Sequence, residues 1–353
     1  MITIMRSLSA SYLRQLLFTG EDAATLRALG ESKGRQALYA RQSPELLESL
    51  RTVAAIESTE SSNRIEGITA PKNRIREIVL KSTAPRTRSE QEIAGYRDAL
   101  QLIHESHPEV RFTVGIVKQL HTTLYRYLPT PGGDFKMADN EIIQRHPSGE
   151  VTVRFKALSA AATPGAVQSL VEEHGAAIRE HDPLVVVPLS VLDFLCIHPF
   201  TDGNGRVARL LTLLLLYHAG YDVGRYISLE RIFEESRETY YETLEQSSQG
   251  WHEDQHDAMP WTRYFWGVLV RAYDEFERRV GTFRKGRGAK TEVVRSAVEN
   301  RKLPFSISEI EKECPGVSRV TVRRVLEKLR DEGIIEVRGR GRGARWFKHE
   351  RSG

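Results

Sequence analysis

The stretch His198-Pro199-Phe200-Thr201-Asp202-Gly203-Asn204-Gly205-Arg206-Val207-Ala208-Arg209 lies between two apolar runs, Leu189 to Ile197 and Leu210 to Tyr217. Pro199 and the Asp-Gly-Asn-Gly run interrupt any helix here, whereas Val207 to His218 has the make-up of a buried one. The polar cluster is therefore read as a loop opening a helix N-terminus. Such an end presents unpaired N–H groups to an anion. Gly203 and Gly205 let the backbone take positive φ and approach a bound group closely. Arg206 and Arg209, three apart on a helix, share roughly one face and can both reach a polyphosphate. Asp202 is a hard oxygen ligand of the kind Mg²⁺ accepts beside phosphate oxygens, and His198 can take a proton near neutral pH. A base, a metal ligand, an anion hole and charge clamps are the parts for transfer chemistry on a nucleotide.

With nine specified residues in twelve, His198 to Arg209 resembles the signature of the Fic (filamentation induced by cAMP) family, H-P-F-x-D/E-G-N-G-R-x-x-R, and matches every fixed position. The resemblance implies a fold that is mainly α: a Fic helical core with a β-hairpin flap. It also implies AMP transfer from ATP to a Ser, Thr or Tyr hydroxyl of a target protein. His198 would deprotonate the hydroxyl. Asp202 would hold Mg²⁺, with Mn²⁺ as the alternative. Gly203, Asn204 and Gly205 would bind the α- and β-phosphates, Arg206 the β-phosphate and Arg209 the γ-phosphate, while Phe200 would anchor the loop.

A second motif lies upstream. Leu46, Leu47, Leu50, Val53, Ala54 and Ile56 mark the apolar face of a helix over about residues 45–67, with Ser43 as its N-cap and Pro44 at its first position. It runs into Ser62-Asn63-Arg64-Ile65-Glu66-Gly67. By itself this is a polar helix end with Gly67 as C-cap. It also resembles the inhibitory motif S/T-x-x-x-E-G/N of many Fic proteins. That resemblance implies that Glu66 pairs with Arg209 and denies the γ-phosphate its site, with Ser62 and Gly67 completing the inhibitory segment. Removal of AMP, or a donor other than ATP, is the alternative within the same enzyme class.

Two β-prone runs, Asn140-Glu141-Ile142-Ile143 onward and Glu150 to Phe155, flank a Pro147-Ser148-Gly149 turn and predict a hairpin over 140–155. In the Fic family a flap at this place receives the target as an added strand. Tyr240 and Tyr241 read as core residues of a helix, and the resemblance makes them candidates for contact with the nucleotide base or ribose. His104, His107 and His121 show no metal-ligand spacing and are read as surface or core residues.

At 353 residues the chain exceeds one typical domain. Three parts are expected: an N-terminal region over 1–110, a core over 111–283 and a basic module over 284–353. Residues 285–353 hold 18 Lys+Arg against 10 Asp+Glu, so this tail is +8 and the remainder near −4. Helix, helix-turn-helix and a Gly/Arg-rich hairpin there resemble a winged helix-turn-helix domain of bacterial regulators. Arg319, Arg323 and Arg324 on its recognition helix, with Arg340 and Arg342 in the wing, are the candidate DNA contacts. The competing function is accordingly a nucleotide-sensing, DNA-binding regulator. Cys196 and Cys314 fit neither a disulfide framework nor a metal site. With no membrane-length apolar run and no signal segment, a cytoplasmic protein is expected, and the two resemblances imply a bacterial protein with a homodimer as its assembly.

Overall fold

The computed structural model describes residues 7–42, 44–145, 151–281, 291, 294, 295, 297, 298, 301, 304–314, 317–339 and 344–348. Ser43, the turn at 147–149 and the wing arginines Arg340 and Arg342 lie outside these residues. The chain divides into two compact units, residues 1–36 with 54–273 and residues 37–53 with 274–353. Of the N-terminal region over 1–110, residues 1–36 and 54–110 fall in the same unit as the core and residues 37–53 in the other. Residues 54–110 pack with the core because their helices bury apolar faces there, Ile93, Tyr96, Leu100 and Ile103 among them.

The first unit is helical apart from one hairpin. Its elements begin with α1 (Ala10–Leu13), most of α2 (Gly20–Gln42) and the C-terminal half of α3 (Pro44–Ile65). They continue through α4 (Lys72–Lys81), α5 (Arg88–Ser106) and α6 (Val114–Leu124) to the antiparallel strands β1 (Glu141–Arg145) and β2 (Val151–Lys156). The remaining helices are α7 (Thr163–Ala177), α8 (Pro183–Ile197), α9 (Asn204–His218), α10 (Leu229–Glu235), α11 (Arg237–Ser248) and most of α12 (Met259–Gly281). Thr87 and Thr113 cap α5 and α6 by accepting from Glu90 and Ile116 N–H groups.

Helix α8 is buried on nearly all sides, as its mostly apolar sequence requires, and its two polar residues are bonded, Ser190 to Val186 O and Asp193 by Ser7 and Trp251. Pro188 inside it lacks the N–H that would bind the Leu184 carbonyl. That carbonyl takes the Trp266 indole N–H at 2.7 Å instead, and the Pro188 carbonyl takes the Trp261 indole at 2.8 Å. Helices α8 and α9 pack against each other, and the loop joining them carries the site. Among the described residues, no helix is long and apolar enough to cross a membrane.

In the second unit, α13 (Ile307–Glu313) opens with a Ser306/Glu309 capping box and leads to α14 (Arg319–Asp331), capped by Ser318. Strands β3 (Ile335–Arg338) and β4 (Arg345–Lys348) form an antiparallel hairpin that Phe305 extends through a bridge to Trp346. Val322, Val325, Leu326 and Leu329 of α14 close a core with Phe305, Ile310, Ile335 and Trp346. The helix pair and hairpin occur in the order expected of a winged helix.

His174 and His256 are buried in the first unit, and burial pushes both imidazoles down to about 4. An unfolded chain regains ordinary histidines with pKa about 6.5 and takes up protons below that pH. The contribution of these two side chains to stability is therefore complete above about pH 6.5 and lost as pH falls toward 4. Thermal melts between pH 7 and 4.5 should show a steady fall in Tm, and a flat profile would show that these side chains accept protons while folded.

Candidate active site

The four carbonyls ending α8, which have no partner within the helix, are all satisfied locally. Phe194 O accepts His198 N–H at 2.9 Å and Leu195 O faces His198 Nδ1 at 3.2 Å. Cys196 O accepts Leu158 N–H at 3.3 Å and Ile197 O accepts Lys136 Nζ at 3.1 Å. His198 itself has a left-handed backbone, φ +49, a conformation that a non-glycine residue keeps only when its surroundings enforce it. A proton on Nδ1 directed at Leu195 O leaves Nε2 with its lone pair. Burial pushes the imidazole down to about 4, with Lys136 adding to the effect and Glu66 and Asp202 opposing it. His198 is accordingly a neutral base at pH 7.

Asn204 closes the loop as a side-chain bracket. Its Oδ1 accepts Phe200 N–H at 2.9 Å and its Nδ2 donates to Phe200 O at 2.7 Å. Phe200 is fully buried and stacks on His121 at 3.8 Å between ring centroids. Gly203, φ +82, turns the chain into α9.

Asp202 is exposed, its side chain 70% accessible. Its Oδ1 accepts Gly203 N–H at 2.7 Å, and its Oδ2 accepts the Tyr125 hydroxyl at 3.1 Å and lies 3.6 Å from Arg206. Among the described residues, no group of three or more His, Cys, Asp or Glu side chains could cage a metal ion. A lone carboxylate at a helix N-terminus fits Mg²⁺ held jointly with substrate phosphates and water.

Arg206 and Arg209 do not stand free. Arg206 is 1% accessible and donates to Glu92 Oε2 at 2.8 Å. Arg209, 2% accessible, donates through Nε to Ser62 Oγ at 2.8 Å and through Nη2 to Ser62 O at 2.9 Å and Glu66 Oε1 at 2.7 Å. A Cβ on Gly205 would lie 2.3 Å from Glu66 Oε1. The carboxylate thus rests against the Gly205 backbone and the Arg209 guanidinium, a cradle suited to an anion.

The end of α3 explains how Glu66 gets there. Gly67 has φ +79, its N–H bonds Arg64 O, and Ile68 N–H bonds Asn63 O, which together form a Schellman motif. Glu66 is the C-cap, where the helix dipole disfavours a carboxylate. The pair with Arg209 outweighs that local preference. Upstream, Ser58 donates to the buried Glu230 at 2.7 Å, and Tyr96 donates to its other oxygen at 2.9 Å, which pins α3 to α10 and α5.

Tyr240 is buried against Phe233, Trp261 and Tyr264. Tyr241 is less buried and faces Arg154 and Arg237 across its ring. Asn140 donates to Phe200 O at 3.2 Å, so the flap is tied to the catalytic loop at its base. Glu141 and Ile142 begin β1 opposite Lys156 and Phe155, and Ile143 follows an irregularity in the register. Four contributors were given no role from the sequence: His121, Tyr125, Lys136 and Glu92. His121 was read as an ordinary surface or core residue, yet its Nδ1 accepts Gly133 N–H at 2.8 Å and its Nε2 lies 3.0 Å from Asp202 O. No spacing announces these residues, since their partners lie far along the chain.

The Fic/DOC family model matches residues 111–216. The chain carries a Fic domain. A protein of Nematostella vectensis named protein adenylyltransferase Fic is 34% identical over 96 residues, which is 27% of this chain and 19% of that protein. A Caenorhabditis briggsae protein named protein adenylyltransferase fic-1 is 30% identical over 107 residues, 30% of this chain and 18% of its own length. The chain therefore spans about a fifth of the curated relatives it matches. The crystal structure of a Fic family protein from Desulfovibrio desulfuricans superposes with a TM-score of 0.62 at 22% identity, covering 96% of this chain and 98% of that one. The shared Fic fold thus extends well beyond the matched segment.

Gly205→Ala in the wild type should break the Glu66–Arg209 pair, because Glu66 Oε1 has no room beside a Cβ. Glu66→Gly should then cost about 1–2 kcal/mol in the wild-type background, reduced from the full price of a buried pair because Ser62 keeps two bonds to Arg209. In the Gly205→Ala background it should cost almost nothing. Urea unfolding of the four proteins measures the coupling, and equal costs in both backgrounds would contradict this packing.

Proposed function

We propose that the chain is a protein adenylyltransferase that moves AMP from ATP to a Ser, Thr or Tyr hydroxyl of a target protein, restrained by its own Glu66. The observation that carries this reading is the carboxylate seated in the Gly205/Arg209 cradle, an anion in an anion site on the helix that follows the loop of a neutral, part-buried base. The relatives named as protein adenylyltransferases support it at the level of the family.

In the proposed reaction the target hydroxyl oxygen forms a bond to the α-phosphorus while the bond from that phosphorus to the bridging oxygen of the β-phosphate breaks. The hydroxyl proton passes to His198 Nε2, and pyrophosphate leaves. Gly203, Asn204 and Gly205 border the α- and β-phosphates, Arg206 the β-phosphate and Arg209 the γ-phosphate. Mg²⁺ or Mn²⁺ at Asp202 supplies charge neutralisation on the phosphates when bound. Tyr241, more open than Tyr240, is the better placed of the pair to meet the base. The flap receives the target main chain along β1, with Asn140, Glu141, Ile142 and Ile143 at its start. With Glu66 on Arg209, the γ-phosphate loses its site and meets a like charge, so ATP binds out of line.

Incubation with α-labelled ATP and Mg²⁺ tests the reading. Glu66→Gly should label itself or lysate proteins at least tenfold more than wild type, and His198→Ala in the same background should label nothing. Equal labelling with and without His198 would rule it out.

One observation favours a DNA-facing role for the second unit alongside the enzyme reading. On α14, Val320, Arg323 and Arg324 are exposed on one side while Val322, Val325 and Leu326 are buried on the other. Arg319 is engaged by Glu311 at 2.9 Å, so Arg323 and Arg324 are the first candidates for phosphate or base contact and Val320 for a thymine methyl. Arg323→Ala/Arg324→Ala should weaken binding to duplex DNA and flatten its salt dependence by about two units of slope. Undiminished binding in a salt-series gel shift would place the DNA contact elsewhere. Dimer formation and a cytoplasmic location belong to the same proposal.

A further inference from the structure

Lys136 is buried, 3% accessible, and lies in the segment that leads into the flap. Its Nζ donates to Ile197 O at 3.1 Å and to Asn140 Oδ1 at 2.8 Å, and its backbone N–H donates to Pro199 O at 2.9 Å. Asn140 in turn donates to Phe200 O. Three carbonyls bracketing His198, those of Ile197, Pro199 and Phe200, are thus held from one short stretch, 136–140. A buried ammonium is costly unless its donors are met, and a lysine where a neutral donor could serve marks the charge as useful.

We propose that Lys136 is a positioning residue for the base, holding His198 in its left-handed pose and keeping its imidazole neutral through the adjacent positive charge. The inference deepens the transferase reading and rests on it for the catalytic part. A cation at the C-terminus of α8 also meets the negative end of that helix. The charged groups facing His198 are Lys136, Glu66 and Asp202, and Lys136 opposes protonation of the imidazole while the two carboxylates favour it. Burial brings the ammonium of Lys136 down to about 8, with Asp139 acting the other way, so it carries its charge through neutral pH.

The test compares Glu66→Gly with Glu66→Gly/Lys136→Met. Histidine-labelled protein, with the His198 resonance assigned by its loss in His198→Ala, gives the imidazole titration directly. Lys136→Met should raise its midpoint by about one pH unit. Label transfer should fall about tenfold or more in kcat with KM for ATP within about twofold, and Lys136→Arg should recover part of the rate. An unchanged His198 titration together with an unchanged kcat would overturn the proposal. If Glu66→Gly itself transfers no label, the transferase reading fails, and the His198 titration still decides whether Lys136 acts on the imidazole. Should Lys136→Met melt before titration, Lys136→Gln carries the same measurements.

Discussion

The guanidinium of Arg209 is out of reach of water and must be neutralised by something. In this structure Ser62 and Glu66 do it, and much of the site follows. The need for a carboxylate at that point accounts for a glutamate at a helix C-cap, where its charge is locally unfavourable. It also accounts for the absence of a side chain at Gly205, whose Cβ would occupy the place of the carboxylate oxygen. The Ser58–Glu230–Tyr96 network fixes the helix that presents Glu66, so the carboxylate is carried at the end of an anchored element. A conflict between local preference and tertiary contact of this kind is expected at functional or strained sites.

The catalytic loop has a parallel logic. His198 sits in a strained backbone at the end of a helix whose four terminal carbonyls each need a partner. The partners come from the loop itself, from Leu158 and from Lys136. Satisfying the helix end and aiming the base are one task. Phe200 and Asn204 lock the same loop from the core side, and His121 locks it from the side of Asp202.

The local parts of this design were legible in the sequence. Pro199 with the Asp-Gly-Asn-Gly run marked a loop opening a helix, and Gly67 marked the end of α3, because each depends on backbone conformations that few residues allow. The hairpin near 140–155 and the helix pair with hairpin after residue 304 were legible for the same reason. The division of the chain into units was not, since whether two helical stretches share a core depends on which faces meet in space. His121, Tyr125, Lys136 and Glu92 were given no role because a single polar residue carries no period, and what makes it matter is a partner 61 to 114 positions away. The pairing of Glu66 with Arg209 spans 143 positions. It was anticipated only through resemblance, not through spacing.

The central claim is that one carboxylate competes with one phosphate for one arginine. A crystal structure of the wild type soaked with ATP and Mg²⁺, set beside the same soak of Glu66→Gly, measures this competition directly. The account predicts Glu66 on Arg209 and a displaced γ-phosphate in the wild type, and the γ-phosphate on Arg209 once the carboxylate is gone. A wild-type complex in which Arg209 holds both the γ-phosphate and Glu66, with the α-phosphorus posed alike in both crystals, would contradict it.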